Sequence, residues 1–234
     1  MSKTSTNPAY RKANKLLVAV DCIIFGFDKQ QLKLLLFKRK VTPFKNEWSL
    51  IGSFVKKEEA VTEAAKRVLQ ESTGLKNVFL EELACYGEVS RDIGARVISI
   101  AHYSLISLAE QEEQLTETRQ AHWFNVDAIP PLILDHNKMV THALDKLRRK
   151  TRSQPIGFKL LPEKFTIPQL KNLYEAIHQK PLDRRNFRKK ITSMNILEKL
   201  AEKDKSGSRK GAFLYRFDKK KYEALVSKGF NFEL

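Results

Sequence analysis

Basic residues crowd a short segment near the end of the chain, where their spacing suits the recognition of nucleic acid. Asp183 can cap a helix over residues 184–194. At about 100° per residue its apolar residues share one side, and its basic residues point away from them. Arginine can bond guanine bidentately, asparagine can bond adenine, and lysine mostly meets phosphate. The side chains of this helix predicted to contact DNA are Arg184, Arg185, Asn186, Arg188, Lys189 and Thr192.

The elements around this helix predict a winged helix. Thr166 and Gln169 have the capping-box spacing that opens a preceding helix. Downstream, residues 196–200 and 212–217 are apolar segments, and the connection between them has a tip rich in Ser, Gly, Lys and Arg. A helix, a turn, a second helix and a basic loop form the arrangement that places a recognition helix in the major groove. In the tip, the residues predicted to contact DNA are Lys205, Arg209 and Lys210.

The distribution of charge supports this prediction. The chain of 234 residues carries 43 Lys+Arg against 27 Asp+Glu, a net charge of +16. Residues 151–234 hold 20 basic and 9 acidic side chains, a net of +11 in about a third of the length. A compact basic segment is typical of a protein that binds a polyanion. The alternative is a solvated helix and loop whose charge only maintains solubility.

A carboxylate inside an apolar strand marks a second place for chemistry. Asp21 lies within the run LLVAVDCIIFGF at residues 16–27, which predicts a strand. Burying a lone carboxylate is costly, so Asp21 needs a partner or must face a cavity. A structural ion pair is the favoured role for Asp21, and contact with a ligand is the alternative.

The remaining pattern predicts a mixed α/β sandwich followed by a separate domain. Helices are expected over 59–73, ended by a left-handed Gly74, and over 137–149. Residues 150–154 are the candidate linker, which gives domains of 1–149 and 155–234. Further strands are expected over 32–38, 77–80, 85–88, 95–105 and 122–125.

Composition indicates a cytoplasmic protein without a disulfide framework. Cys22 and Cys85 lie in apolar runs and are expected to be buried free thiols. No apolar stretch reaches the roughly 20 residues that span a bilayer. Residues 1–15 are polar and basic, which is not the pattern of a signal peptide.

Residues 48–75 resemble a Nudix box, written G-x5-E-x7-R-E-U-x-E-E-x-G-U with U a bulky aliphatic residue. Glu59, Arg67 and Gly74 fit it, but Ser53 replaces the glycine. In an intact box three carboxylates share one helical face, hold Mg²⁺ or Mn²⁺ against a diphosphate and activate water. Of those three positions, Val68 and Ser72 lack a carboxylate and only Glu71 keeps one. The resemblance therefore implies a binding domain with no catalytic residue, metal or cofactor, and Glu71 is expected to pair with Arg67 or to be solvated.

With both halves considered, the chain resembles the Nudix-related transcriptional regulators. The resemblance rests on residues 39–48, Val89–Asp92, Leu132–His136, Phe165–Tyr174, Arg184–Arg188 and Leu214–Phe217. It implies an α+β fold, with a Nudix-like α/β/α sandwich for effector binding and dimerisation and a C-terminal winged helix-turn-helix domain. Members act as homodimers and respond to ADP-ribose or to a sugar such as L-arabinose. Since the metal site is degraded, the arabinose-responsive branch is the closer resemblance.

The resulting prediction is a ligand-responsive transcriptional regulator, a repressor or an activator, that is not an enzyme and binds double-stranded operator DNA as a homodimer away from membranes. The alternatives are an ADP-ribose-responsive regulator of NAD metabolism, a divergent Nudix hydrolase, and an RNA-binding module with surface aromatics that stack on bases. The residues predicted to bind the effector are polar or aromatic groups near the box helix and adjoining strands. They are Asp21, Arg39, Trp48, Glu71, Arg91 and Tyr103.

Overall fold

A mixed sheet forms the centre of the N-terminal domain in this computed structural model, which describes residues 13–108, 121–206 and 209–234. Strands β1 (Leu17–Phe27) and β6 (Val97–Ser107) run parallel in register over 11 residues. Most of β1 is buried on both faces, which explains its continuous apolar sequence. The other strands are β2 (Leu32–Lys38), β3 (Trp48–Ser49), β4 (Ile51–Phe54), β5 (Glu81–Tyr86) and β7 (Ala121–Asn125).

Helices cover both faces of this sheet, so the predicted sandwich is confirmed. Helix α1 (Val61–Thr73) packs on one face and helix α2 (His136–Ser153) on the other. Gly74 ends α1 at φ +76°, the left-handed conformation that glycine adopts without strain. The helix begins at Val61, two residues later than predicted, because Glu59 remains in the preceding turn.

Two predictions about the edge of the sheet are wrong. Residues 77–80 are not a strand, and pairing begins only at Glu81. Cys22 is buried, but Cys85 is exposed. The register of β5 against β6 shifts between Glu82 and Ala84, and the extra residue turns Cys85 away from the core that contains Leu83.

The C-terminal domain has the order of elements predicted for a winged helix. Helices α3 (Ile167–His178) and α4 (Arg184–Ser193) precede strands β9 (Leu197–Asp204) and β10 (Ala212–Phe217). Strand β10 pairs with β9 and with the short β8 (Phe165–Thr166). Thr166 and Gln169 form the predicted reciprocal capping box, with hydrogen bonds of 3.3 and 2.7 Å. A further helix, α5 (Lys219–Val226), was not predicted.

The connection between the two domains is helical. Residues 150–153 of the predicted linker form the last turn of α2, and a 3-10 helix at Ile156–Leu160 follows after Gln154 and Pro155. One continuous apolar cluster runs from α2 through the 3-10 helix into α3, so the domains are packed against each other. The exact domain boundaries remain predictions. None of the described helices is long and apolar enough to cross a membrane.

Candidate functional site

Helix α4 presents its basic side chains to solvent. Phe187 and Ile191 are buried against α3, so the side chains between them point outward. All six candidate DNA contacts on this helix, residues 184–186, 188, 189 and 192, are exposed. Asp183 caps the helix as predicted, because its Oδ1 accepts from Asn186 N at 2.8 Å. The ion pairs found among the described residues of this domain lie elsewhere, for example between Lys164 and Glu202.

The β9–β10 hairpin places a second group of cations beside α4. Lys205, Arg209 and Lys210 are exposed at its tip, whereas residues 207 and 208 of the predicted tip and residues 1–12 of the basic N-terminus lie outside the described residues. Gly211 closes the tip at φ +68°, where a Cβ would lie 3.0 Å from Asp204 O. The chain can therefore reverse here without a side chain in the way.

Aromatic residues of this domain serve the core. Tyr174 and Phe187 are buried with ring centroids 5.8 Å apart, and Phe217 stacks on Phe158 at 4.5 Å. The buried rings of Tyr174 and Phe187 are therefore unavailable for stacking on bases, as the RNA-binding alternative would require.

Helix α1, which carries Arg67 and most of the Nudix-box residues, retains two ion pairs. Arg67 Nη2 is 2.6 Å from Glu59 Oε1, its Nη1 is 3.1 Å from Glu71 Oε2, and it donates to Phe54 O. The hydrogen bonds from Arg67 lower the pKa of Glu59 to about 2, and the same contacts raise the pKa of Arg67. The predicted pairing of Glu71 with Arg67 is confirmed.

The residues at the box positions do not fit a divalent cation. Val68 is 2% exposed in the apolar core, Ser72 is uncharged, and Glu71 already contacts a guanidinium. Mg²⁺ needs several oxygen ligands in near-octahedral order. Within the described parts of the chain, no group of three or more His, Cys, Asp or Glu side chains could hold a metal ion.

A buried polar cluster surrounds Asp21 on the face of the sheet covered by α2. Ser99 Oγ donates to Asp21 Oδ2 at 2.5 Å, and Arg91 Nη2 lies 3.7 Å from the same oxygen. Arg91 also donates two hydrogen bonds to Asp135, at 2.9 and 2.7 Å. A Cβ on Gly52 would come within 2.2 Å of Asp21 Oδ1, so this glycine makes room for the carboxylate. The ion pair predicted for Asp21 is confirmed.

His136 completes the cluster at the first turn of α2. Its Nδ1 accepts from Leu50 N at 3.1 Å, which assigns the ring proton to Nε2, 3.6 Å from Asp21 Oδ1. Burial lowers the pKa of His136, against the opposite effect of Asp21. The imidazole is therefore neutral at pH 7. Because Asp135 and His136 open α2, the cluster fixes the position of that helix against the sheet.

Two more candidate effector contacts lie beside this cluster. Trp48 O accepts from Ile133 N at 3.0 Å, and the indole packs edge-on against Phe124 at 4.8 Å. Arg39 Nε donates to Pro43 O at 2.7 Å, and the Arg39 charge acts on His136. Arg39, Trp48, Asp21 and Arg91 thus occupy one region.

Glu71 and Tyr103 lie apart from that region. Glu71 is on the exposed side of α1, with 60% of its side chain accessible. Tyr103 lies four residues beyond Ser99 on β6, roughly 13 Å along the strand, beside Glu81. Burial, followed by the charge of Glu81, raises the pKa of Tyr103. The structure therefore does not gather the six candidates into one site.

Sequence reasoning overlooked three members of the cluster: Ser99, Asp135 and His136. A serine in the apolar strand at 97–107 was a usable signal, because a buried hydroxyl needs a partner. The Asp-His pair at the end of residues 132–136 contributes to the family resemblance, but its sequence context suggested no role for it. The contacts of the cluster bridge 78 residues between Asp21 and Ser99 and 44 between Arg91 and Asp135, which local patterns do not encode.

Comparison with known proteins now identifies the family. Residues 15–143 match the NUDIX domain family, and residues 157–217 match the NrtR DNA-binding winged helix domain. An ADPR-responsive transcriptional repressor from Acinetobacter baylyi is 30% identical over 211 residues, which span 88% of this chain and 84% of that protein. The chain belongs to the NrtR-like family of Nudix proteins.

Solved structures and a second relative extend this result. Shewanella oneidensis NrtR in complex with a 27mer DNA has a TM-score of 0.73 at 27% identity, over 86% of this chain and 93% of that one. The NUDIX domain of the same protein with ADP ribose has a TM-score of 0.50 at 25% identity, over 61% and 94%. An ADP-ribose pyrophosphatase from Methanocaldococcus jannaschii is 36% identical over 123 residues, 53% of this chain and 70% of that protein.

The two family matches confirm the architecture that the resemblance implied, a Nudix domain followed by a winged helix. They do not support the expected effector. The arabinose-responsive branch finds no support, since the full-length relative is described as responsive to ADPR. The loss of two box carboxylates therefore does not by itself indicate a sugar effector.

Proposed function

We propose that this NrtR-like protein is a transcriptional repressor that binds operator DNA through its winged helix and responds to ADP-ribose through its Nudix domain. The observation that carries the proposal is the exposed basic side of α4 beside the basic tip of the β9–β10 hairpin. The related repressor responsive to ADPR, and the solved relatives with DNA and with ADP ribose, support the same assignment.

In this proposal α4 enters the major groove. Arg185 and Asn186, near its capped N-terminus, contact base edges, whereas Lys189 and the hairpin residue Arg209 contact phosphates. A homodimer would place two such helices on a palindromic operator, with half-sites about one or two helical turns apart.

Helix α2 provides the connection between sensor and DNA-binding domain. Its first turn holds the cluster of Asp135 and His136, and its last turns contact α3. There Arg148 donates to Ile177 O at 3.1 Å, and Thr151 Oγ1 lies 3.2 Å from His178 Nε2. An effector that favours one position of α2 changes the orientation of the winged helix. A coupling of about 1.4 kcal/mol changes operator affinity tenfold.

For the effector site we propose the region of Arg39, Trp48 and Arg91, with Asp21 as its buried support. Arg39 is half-buried, and the Trp48 ring is partly accessible, so both can contact a ligand. Guanidinium groups suit a diphosphate, and an indole suits a base or sugar face. Alanine variants of Arg39 and Trp48 should weaken ADP-ribose binding. If neither does, the effector binds elsewhere.

A divergent hydrolase is the second candidate, favoured by the identity with the pyrophosphatase. The donor set at Val68, Glu71 and Ser72 argues against it. Incubation with ADP-ribose and Mg²⁺ or Mn²⁺, followed by chromatography, separates the candidates. Metal-dependent formation of AMP and ribose phosphate would establish the enzyme.

Fluorescence anisotropy with labelled duplexes tests the repressor. Duplexes from the upstream regions of the gene and its neighbours are compared with random DNA, with and without ADP-ribose or L-arabinose. Arg185→Ala should relax sequence preference. Lys189→Ala should weaken all binding and reduce the slope of log K against log salt by about 0.9 for each phosphate that the variant no longer neutralises.

Lys57→Ala is the matched control, because Lys57 is an exposed lysine of the other domain. This variant should change neither the sequence preference nor the slope of log K against log salt. Binding no tighter than to random DNA at physiological salt would reject the proposal. If L-arabinose changes DNA binding and ADP-ribose does not, only the proposed effector is rejected.

A further inference from the structure

Strand β9 separates its basic and acidic side chains between the two faces of the β9–β10 hairpin. Lys199 is the cross-strand partner of Tyr215, and Lys203 is the partner of Phe213. Cross-strand partners project from the same face of a sheet, so both lysines share a face with these aromatic residues. Tyr215 is 7% exposed in the core to which α3 and α4 contribute. The face of the hairpin that carries the two lysines is therefore the one turned toward the helices.

The acidic side chains of β9 lie on the other face, where they have cationic partners. Glu198 is opposite Arg216 in the register, and their side chains approach to 3.8 Å. Glu202 accepts a hydrogen bond from Lys164 Nζ at 2.7 Å. Neither of the two lysines on the helix side forms an ion pair with a carboxylate of the described residues, although both are exposed. The helix side of the hairpin therefore carries positive charge that no neighbouring side chain balances.

One aromatic ring holds both ammonium groups. The Nζ atoms of Lys199 and Lys203 lie 3.8 and 4.5 Å from the centroid of the Phe213 ring. The ring attracts a cation through its quadrupole and has no net charge, so each ammonium group keeps its full charge. The two Nζ atoms can be at most 8.3 Å apart, the sum of the two distances, which is about one Debye length at physiological salt. They therefore repel each other, and an anion beside them would offset that repulsion.

The same ring borders the predicted recognition helix. Phe213 lines a cleft of about 330 Å³ together with Arg184 and Arg188 of α4. The two lysines held on the ring thus continue the exposed basic side of α4 onto the body of the hairpin. Duplex DNA carries one negative charge for roughly every 1.7 Å of its axis, so a duplex lying along α4 would bring phosphates to this face.

We propose that Phe213 is a positioning residue that holds Lys199 and Lys203 against the phosphate backbone of duplex DNA beside α4. The inference rests on the proposed function, and it extends the DNA contacts from the tip of the hairpin to its body. Contacts with phosphates carry no base preference, so these lysines increase the affinity for DNA of any sequence.

Fluorescence anisotropy of the full chain with a labelled random-sequence duplex tests the two lysines. Lys199→Met and Lys203→Met should each reduce the slope of log K against log salt by about 0.9, because each variant no longer neutralises one phosphate. Since this electrostatic contribution vanishes near 1 M salt, the change corresponds to about eightfold weaker binding at 0.1 M. Lys164→Met is the matched control, because it removes the same charge from the opposite face of the same hairpin. It should leave the slope unchanged.

Spectra of the lysine ε-methylene groups in the ¹³C-labelled protein test the role of Phe213. The ring should move the signals of Lys199 and Lys203 upfield, and each lysine variant identifies its own signal by the loss of it. Phe213→Leu should abolish the upfield shift and weaken binding to the duplex about two- to fivefold, the range for an exposed cation–π contact. Phe213→Tyr keeps an aromatic face and should preserve both the shift and the affinity.

The possible failures of this inference and of the proposed function are distinguishable. If the unchanged protein binds the duplex and the two lysine variants have the same salt slope as Lys164→Met, the inference is overturned and the repressor proposal stands. The same holds if Phe213→Leu and Phe213→Tyr give equal spectra and equal affinities. No binding of the duplex by the unchanged protein at about 50 mM salt would reject the proposed function, and this inference with it. Both lysines are exposed, so their test holds even if a variant of Phe213 fails to fold.

Discussion

Arg91→Met is expected to destabilise the protein strongly. The Arg91 side chain is 3% exposed, and its carboxylate partners Asp21 and Asp135 are 8% and 13% exposed. Without the guanidinium, the carboxylate of Asp135 loses both of its hydrogen bonds from Arg91 and remains largely buried. Removal of one partner of a buried ion pair costs about 3–5 kcal/mol. For a protein of this size, that corresponds to a fall in Tm of roughly 6–20 °C.

Urea denaturation at pH 7, followed by circular dichroism, measures this free energy of unfolding. Lys164→Met is the control, because Lys164 and Glu202 form an ion pair whose side chains are 43% and 57% exposed. Its cost should stay within about 1 kcal/mol. A double-mutant cycle of Arg91→Met with Asp135→Asn should give a coupling energy different from zero, since Arg91 and Asp135 are in direct contact. A cost below about 1 kcal/mol for Arg91→Met would refute the conclusion that the cluster is desolvated.

Three further predictions concern particular contacts. Glu59→Gln should reduce the free energy of unfolding near pH 6, and this deficit should shrink from about pH 4.5 towards pH 2. The reason is that the pKa of the Glu59 carboxyl is about 2 in the folded protein and 4.5 in the unfolded chain. An equal deficit at pH 6 and at pH 2 in urea titrations would contradict this. Gly52→Ala should cost about 1–3 kcal/mol in the same assay, because the new Cβ would lie 2.2 Å from Asp21 Oδ1; no loss would mean that the carboxylate moves freely. Asp183→Ala should cost about 1 kcal/mol by removing the cap on Asn186 N, and Asp183→Asn should restore most of it; equal thermal melts for both variants would disprove the capping role.

Local patterns predicted most elements because they depend on neighbours in the sequence. The apolar period of α3, its capping box, the Asp183 cap and the left-handed Gly74 all act within one or two helical turns. Residues 77–80 show where such patterns fail, since an apolar run forms a strand only if a partner lies beside it. The same reason applies to Cys85, whose exposure depends on a bulge in β5 that the sequence does not indicate.

The sequence by itself determined the chemistry that this protein has available. It set the +11 charge of residues 151–234, and it left one carboxylate among the three metal-binding box positions. The tertiary structure alone decided which groups meet. It joined Asp21 to Ser99 and Arg91 to Asp135, and it separated Glu71 and Tyr103 from them. These outcomes depend on strand register and helix packing between distant segments, which no periodicity of the chain specifies.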